Sequence, residues 1–259
     1  MILKGKVCLV TGAGTGIGEA TAVAMAEAGA AVVAADINEQ GAQATAARIA
    51  ETGAKGLALA VDVREVDEID RMVQSVVDEF GRLDVIVNNA GITKPVRIMD
   101  LTEEDWDSMY RVNVRGVFFC LQRAAQQMIA QGSGVIINMA SIAGRGYIKT
   151  SNAAYSSGKG AVISLTKTAA QQLGEYNINV NAICPGITYT PMQELLVGQL
   201  CEREGITQEE ALAQMTDSIP IRRMNGPEDI AAMAVFLASP SARNVSGQAY
   251  NVDGGLVPS

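Results

Sequence analysis

No histidine occurs among the 259 residues of the chain, so protons moved near neutral pH must be carried by something other than imidazole. The same absence leaves the familiar zinc ligand sets almost out of reach. The four cysteines (Cys8, Cys120, Cys184 and Cys201) are scattered, with neither CxxC nor metal-ligand spacing. They read as buried thiols in a reducing cytoplasm, and no metal is expected. Positive charge is also scarce: 20 Lys and Arg stand against 28 Asp and Glu, for a net charge of −8 and a pI near 4.7. A chain this acidic lacks the basic clustering that neutralises phosphates, so nucleic acid is not an expected partner. No apolar run approaches the ~18–20 residues of a membrane span. The opening "MILKGKVCLVTG" enters a strand-and-glycine pattern without the layout of a signal peptide.

What is present is ordinary globular composition, 48% hydrophobic and 19% charged, with a high count of 26 glycines. Short β-branched runs alternate with longer amphipathic or alanine-rich stretches. "KVCLVTG" (6–12) precedes a helical 16–28, "AAVVAAD" (30–36) a helical 38–52, and "GLALAVDV" (56–63) a helical 65–80. "LDVIVNNAG" (83–91) leads to a helix over 102–131, "GVIINMAS" (134–141) to one over 153–174, and "NINVNAICPG" (177–186) closes the series. The strands are apolar on both faces, as a parallel sheet covered by helices requires. The expected fold is therefore α/β: a single domain over 1–259, a Rossmann-like doubly wound parallel sheet flanked by helices. Residues 190–219 interrupt the alternation with helical pattern and no strand, at a place where insertions form lids over a site.

"TGAGTGIG" (11–18) lies between the first strand and the first helix. Backbone amides at a helix N-terminus attract phosphate, and glycines let a pyrophosphate approach. The spacing is not G-x-G-x-x-G, since Ile17 stands where that pattern puts its third glycine. Asp36 ends the second strand, where a carboxylate accepts hydrogen bonds from both adenine-ribose hydroxyls and repels a 2′-phosphate. No Arg or Lys stands at Thr15, Ile37 or Asn38 to welcome one, so the expected cofactor is NAD.

Further on, Tyr155 precedes Lys159 by four residues in "YSSGK", which puts both on one helix face. With Ser141, "NNAG" (88–91), "RVNVRG" around Asn113, "PGITYT" (185–190) and "GQAYNVDGG" (247–255), the chain resembles the short-chain dehydrogenase/reductase family over essentially its whole length. That resemblance implies hydride transfer between a nicotinamide and the carbon of a secondary alcohol or ketone. It implies Ser141, Tyr155, Lys159 and Asn113 as the catalytic set, with Asn113 holding a water that links Lys159 to solvent. For the cofactor it implies Gly12, Thr15, Gly16 and Ile17 at the phosphates and Asp62 with the backbone of Val63 beside the adenine. Asn89 and Gly91 would line the groove, Lys159 and Tyr155 the nicotinamide ribose, and Pro185, Gly186, Thr188 and Thr190 the carboxamide end. It further implies a homotetramer built on the helices around 109–131 and 154–174.

The chemistry suits these residue types. Free tyrosine, with a pKa of about 10, is too weak an acid for the task, and a nearby ammonium favours its phenolate. The substrate class read from the resemblance is a small polyol, sugar alcohol or vicinal diol. The alternatives are a 3-oxoacyl-[acyl-carrier-protein] reductase and a non-catalytic nucleotide sensor on the same scaffold. Arg222 and Arg223 are expected to pair with carboxylates near the helix beginning at Pro227. Trp106 and Tyr110 are expected to pack on a helix, and Pro95 to Leu101 to border the pocket.

Overall fold

The computed structural model describes residues 1–147 and 152–258. Seven parallel strands form one sheet in the order β3-β2-β1-β4-β5-β6-β7. The strands are β1 (Val7–Thr11), β2 (Ala31–Asp36), β3 (Gly56–Ala60), β4 (Val85–Asn88), β5 (Gly134–Met139), β6 (Ile178–Pro185) and β7 (Ala249–Val252). Helices α1 (Gly16–Glu27), α2 (Glu39–Glu51) and α3 (Val66–Phe80) connect the first four. Between β4 and β5 run α4 (Glu103–Tyr110), a π-helical turn (Arg111–Gly116) and α5 (Val117–Gln131). Helix α6 (Ala153–Leu173) joins β5 to β6, and α7 (Pro191–Glu204), α8 (Gln208–Ser218) and α9 (Pro227–Ala238) lie between β6 and β7.

Successive side chains on a strand point to opposite faces, and here both faces are covered. Val7 and Leu9 of β1 join a core with Ile69, Val76, Leu121 and Met128 from α3 and α5. Cys8 and Val10 of the same strand join the opposite core with Met25, Ile49, Ile230 and Leu237 from α1, α2 and α9. Each such aliphatic side chain contributes about 1.5–3 kcal/mol on burial, so the two layers hold the sheet from both sides. The two edge strands, β3 and β7, are half-buried along most of their length, as their places at the sheet margins dictate. The strand order reverses between β1 and β4, and the crevice beyond their carboxyl ends is where ligands bind in open sheets.

The expected single helix over 102–131 is broken by the π turn at 111–116, the part that carries Asn113. π turns widen a helix by one residue and are frequent at functional sites. The expected burial of all four cysteines holds for Cys8, Cys120 and Cys184 but not for Cys201, which is half-exposed on α7. There α7 packs mainly on α8 rather than on the sheet.

Candidate active site

The loop after β1 turns sharply because Gly12 adopts φ +62, and a Cβ there would fall 2.7 Å from the Ala90 Cα. Gly18 carries the tighter constraint: its Cβ would meet the Gly12 carbonyl oxygen at 2.0 Å. The unusual glycine spacing thus has a structural cause. One glycine makes the turn, and the other lets α1 start directly against that turn. Thr15, the residue before α1, makes no side-chain cap, which leaves first-turn amides of α1 free to meet an anion. Thr190 lies opposite: a Cβ on Gly16 would stand 3.3 Å from its methyl carbon.

Asp36 is held in place before any ligand arrives. Its Oδ2 accepts from the Gly14 amide at 2.8 Å and its Oδ1 from the Asn38 amide at 2.8 Å. A carboxylate has about four acceptor sites, so lone pairs remain for two ribose hydroxyls. Asn89 braces the loop from β4, donating to the Thr11 and Gly12 carbonyls at 3.0 and 2.9 Å.

The catalytic helix is fastened to the sheet by a buried polar chain. Asn88 donates to Asn138 (2.8 Å), Asn138 donates to the Thr166 hydroxyl (3.0 Å), and that hydroxyl donates to the Val162 carbonyl (2.8 Å). Ser141 follows β5, and its Oγ accepts from the Ala143 amide at 3.1 Å. Its hydroxyl is also hydrogen-bonded to the Tyr155 phenol. Lys159 is 3% exposed. Its Nζ donates to the Met139 carbonyl at 2.7 Å and lies 5.6 Å from the Tyr155 ring centre. The ammonium keeps two further donors for other partners.

Burial dominates the ionisation of this cluster. It pushes the Tyr155 phenol above its ordinary value, against which the Ser141 hydrogen bond works. It pushes Lys159 down to about 8. The sequence suggests a phenol made more acidic by its lysine; among the protein groups alone the direction is the opposite. The cause is desolvation of a phenol whose nearest ammonium is anchored on a backbone carbonyl.

A cleft of about 1300 Å³ gathers most of the residues singled out in the sequence. Gly12, Thr15, Gly16 and Ile17 line it from the first loop, Asp36 from β2, and Asn89 and Gly91 from beyond β4. Ser141, Tyr155 and Lys159 form its floor, with Pro185, Gly186, Thr188 and Thr190 on the β6 side. That volume exceeds the roughly 300–1,000 Å³ of a pocket for one small ligand, so it has room for a dinucleotide and a substrate together.

Asp62, Val63 and Asn113 do not reach the cleft wall. The Asp62 carboxylate is taken by Arg64, whose Nε donates to both oxygens at 2.9 and 2.8 Å. That hydrogen bond, against the burial of the carboxyl, holds Asp62 below its usual range. Val63 is buried under Gly116. Asn113 sits one layer beneath, its Oδ1 accepting from the Ile92 amide (2.9 Å) and its Nδ2 donating to the Ile92 carbonyl (2.8 Å). A Cβ on Gly91 would lie 3.2 Å from Asn113 Oδ1 and 3.5 Å from Lys159 Nζ. Asn113 is therefore close to the lysine while its side chain is spent on the loop.

Among residues not flagged in the sequence, Asn152 is the clearest addition. It caps α6 and lines the cleft; the signal was an asparagine immediately before a helix. Arg223 pairs with Asp229 (2.7 Å) in the first turn of α9, as expected, whereas Arg222 pairs with Asp217 (3.1 Å) at the end of α8 instead. Trp106 and Tyr110 stack on each other, with ring centres 4.7 Å apart. Among the described residues, no group of three or more His, Cys, Asp or Glu side chains is placed to hold a metal.

A family model described as "Enoyl-(Acyl carrier protein) reductase" matches residues 12–257. The 3-oxoacyl-[acyl-carrier-protein] reductase FabG of Thermotoga maritima is 39% identical over 257 residues, covering 99% of this chain and 100% of that protein. Sorbitol dehydrogenase of Cereibacter sphaeroides is 41% identical over 256 residues, covering 98% of each. Among solved structures, NAD+-bound xylitol dehydrogenase superposes with a TM-score of 0.93 at 36% identity, covering 98% of this chain and 100% of that one.

Proposed function

Since the chain belongs to the short-chain dehydrogenase/reductase family and is an oxidoreductase of that type, we propose that it transfers hydride between NAD(H) and a secondary alcohol or ketone. The observation that carries this reading is the placement of the preset Asp36 carboxylate in the same cleft as Ser141, Tyr155 and Lys159. A carboxylate at the end of β2, with no basic neighbour in sequence, favours a ribose diol over a 2′-phosphate.

The nicotinamide, when bound, supplies the hydride acceptor or donor. The chain's residues handle the proton and the geometry. Ser141 holds the substrate oxygen within reach of the phenol. Tyr155 takes the hydroxyl proton as the C–H hydride leaves in oxidation, and returns it in reduction. Lys159, fixed by Met139, steadies the phenolate and offers its remaining donors to the cofactor ribose. Gly12, Thr15, Gly16 and Ile17 take the diphosphate, while Thr188 and Thr190 orient the carboxamide. Asn113 holds the floor beneath Lys159, where the water of the proton path would sit. Asp62 and the backbone of Val63 would lie toward the adenine end but set back from the cleft wall, with the Asp62 carboxylate held by Arg64.

The proposed substrate is a small polyol, sugar alcohol or vicinal diol, in line with the similarity to the sorbitol and xylitol dehydrogenases. A second reading, reduction of a 3-oxoacyl thioester on an acyl carrier protein, is favoured by the 39% identity to FabG. A panel of xylitol, sorbitol, 2,3-butanediol and acetoacetyl-CoA, each assayed with NAD(H) and NADP(H), separates the two. Turnover confined to the thioester with NADPH overturns the first reading.

The reading extends to the whole chain as one domain and to a cytoplasmic homotetramer. Reduced thiols at Cys8, Cys120 and Cys184 suit that compartment. Phe118 and Ile129 of α5, each 38% exposed, suit a helix face that meets another copy. Residues 190–219 serve as a lid: Met192, Leu196 and Leu200 recur along α7 on the cleft side, and closure would keep water from the hydride path. Limited proteolysis should show cleavage within 190–219 slowed by NADH. Unchanged cleavage at saturating NADH, with binding verified by fluorescence, rules the lid out.

A further inference from the structure

The wall of the cleft opposite α7 is the loop after β4, where Thr93 to Ile98 face the cavity. Two buried asparagines hold the start of this loop. Asn113 takes both backbone groups of Ile92. Asn152 takes the next segment: its Nδ2 donates to the Lys94 carbonyl at 2.6 Å and contacts the Thr93 hydroxyl and Met109 sulfur, each at 3.4 Å. At its other end, Asn152 Oδ1 accepts from the backbone amide of Tyr155 at 2.7 Å. The orientation of the amide is unambiguous, because an N–H must meet the oxygen and a carbonyl must meet the NH₂. Asn152 is 6% exposed, so none of these bonds is exchanged freely with water.

We propose that Asn152 is a positioning residue that fixes Tyr155 and the substrate wall of the cleft relative to each other. Its two ends do separate jobs. The oxygen caps α6 at the amide of the acid–base tyrosine, which sets where that helix begins. The amide nitrogen fastens the Lys94 carbonyl and so sets the inner end of the wall against which a substrate lies. Serine or aspartate also caps a helix. Aspartate offers no donor to the Lys94 carbonyl and would face it with like charge, and the shorter serine, held at the Tyr155 amide, cannot also extend its single O–H to that carbonyl. The need for both a donor and an acceptor accounts for asparagine here. The inference rests on the dehydrogenase reading for its kinetic consequence, but its structural consequence stands apart.

The test compares Asn152→Ala, Asn152→Ser and Asn152→Asp with the wild type by hydrogen–deuterium exchange over residues 92–98 and 153–158. Steady-state oxidation of 2,3-butanediol, xylitol and sorbitol with NAD runs in parallel. The alanine variant is expected to exchange faster in both segments, by roughly tenfold. The serine and aspartate variants are expected to loosen only 92–98. In kinetics they should keep kcat within about threefold of wild type while KM for the alcohol rises about fivefold or more, whereas alanine lowers kcat as well. The rescue of 153–158 and of kcat by serine is the result that a general packing role does not give. Unchanged exchange in the alanine variant overturns the proposal, as does equal loosening of 153–158 by all three. A wild type inert toward every alcohol overturns the dehydrogenase reading instead, and leaves the exchange pattern to decide the role of Asn152.

Discussion

Tyr155→Phe is expected to abolish alcohol oxidation, a loss on the order of 10²–10⁴-fold or more for removal of a general acid–base group. NADH should still bind. Lys159 owes its position to the Met139 carbonyl at 2.7 Å, not to the phenol, and Ser141 keeps its bond from the Ala143 amide. Removing one oxygen therefore leaves the floor of the cleft standing. The sign of the pH dependence follows from the charge states. Oxidation needs the phenolate and so rises with pH; reduction needs the phenol and falls as pH rises. In the cofactor-free chain burial pushes Tyr155 above its ordinary value, so an ultraviolet difference titration of wild type against Tyr155→Phe should show the missing phenol ionising above about 10. In the working complex the limb in kcat should lie below 10, which requires positive charge to be gathered beside the phenol. Lys159, brought to about 8 by burial, is the protein's share of that charge at lower pH. Lys159→Ala should weaken cofactor binding and carry any residual limb to higher pH. Ser141→Ala should lower turnover with cofactor affinity nearly intact. Retention of a large share of turnover by Tyr155→Phe, with an unchanged pH profile, defeats this proton relay.

The parts of this site that local sequence announces are those made of backbone and spacing. The strands are legible because they are apolar on both faces, and Asp36 because it closes one of them. Tyr155 and Lys159 share a helix face by arithmetic alone. What escapes is set by tertiary contact. The π turn at 111–116 is not announced by composition, since no residue type in "RVNVRG" dictates the wider i→i+5 bonding, yet it carries Asn113 beneath Gly91. The Met139 carbonyl that holds Lys159 lies 20 residues away on another element, and no local pattern encodes that meeting. Asp62 falls between these cases. Its place after β3 is readable, but its capture by Arg64, two residues on, takes it off the wall. The glycine spacing of 12, 16 and 18 is visible in the sequence, but its reason is the 2.0 Å approach at Gly18.

Replacing Asp36 tests cofactor choice most directly. Wild type is expected to prefer NAD(H), and Asp36→Ala with Ile37→Arg to move the preference toward NADP(H). Two effects add. The first is loss of the carboxylate, whose charge-assisted hydrogen bond to a ribose hydroxyl contributes about 1.5–3 kcal/mol, or roughly ten- to a hundredfold in preference. The second is visible only in the structure: the carboxylate occupies the amides of Gly14 and Asn38, and its removal frees both donors. Two backbone N–H groups near the 2′ position are what a phosphate dianion would use, with arginine at 37 supplying the charge. Ile37 is 64% exposed, so a longer side chain enters without disturbing the core. The single variant Asp36→Ala should therefore lose NAD efficiency and gain some for NADP, with Ile37→Arg adding most of the rest. The measurement is kcat/KM for each cofactor at a fixed concentration of the best alcohol in the panel. Equal efficiency with both cofactors in wild type, or a double variant that still prefers NAD, would show that Asp36 is not the residue that discriminates.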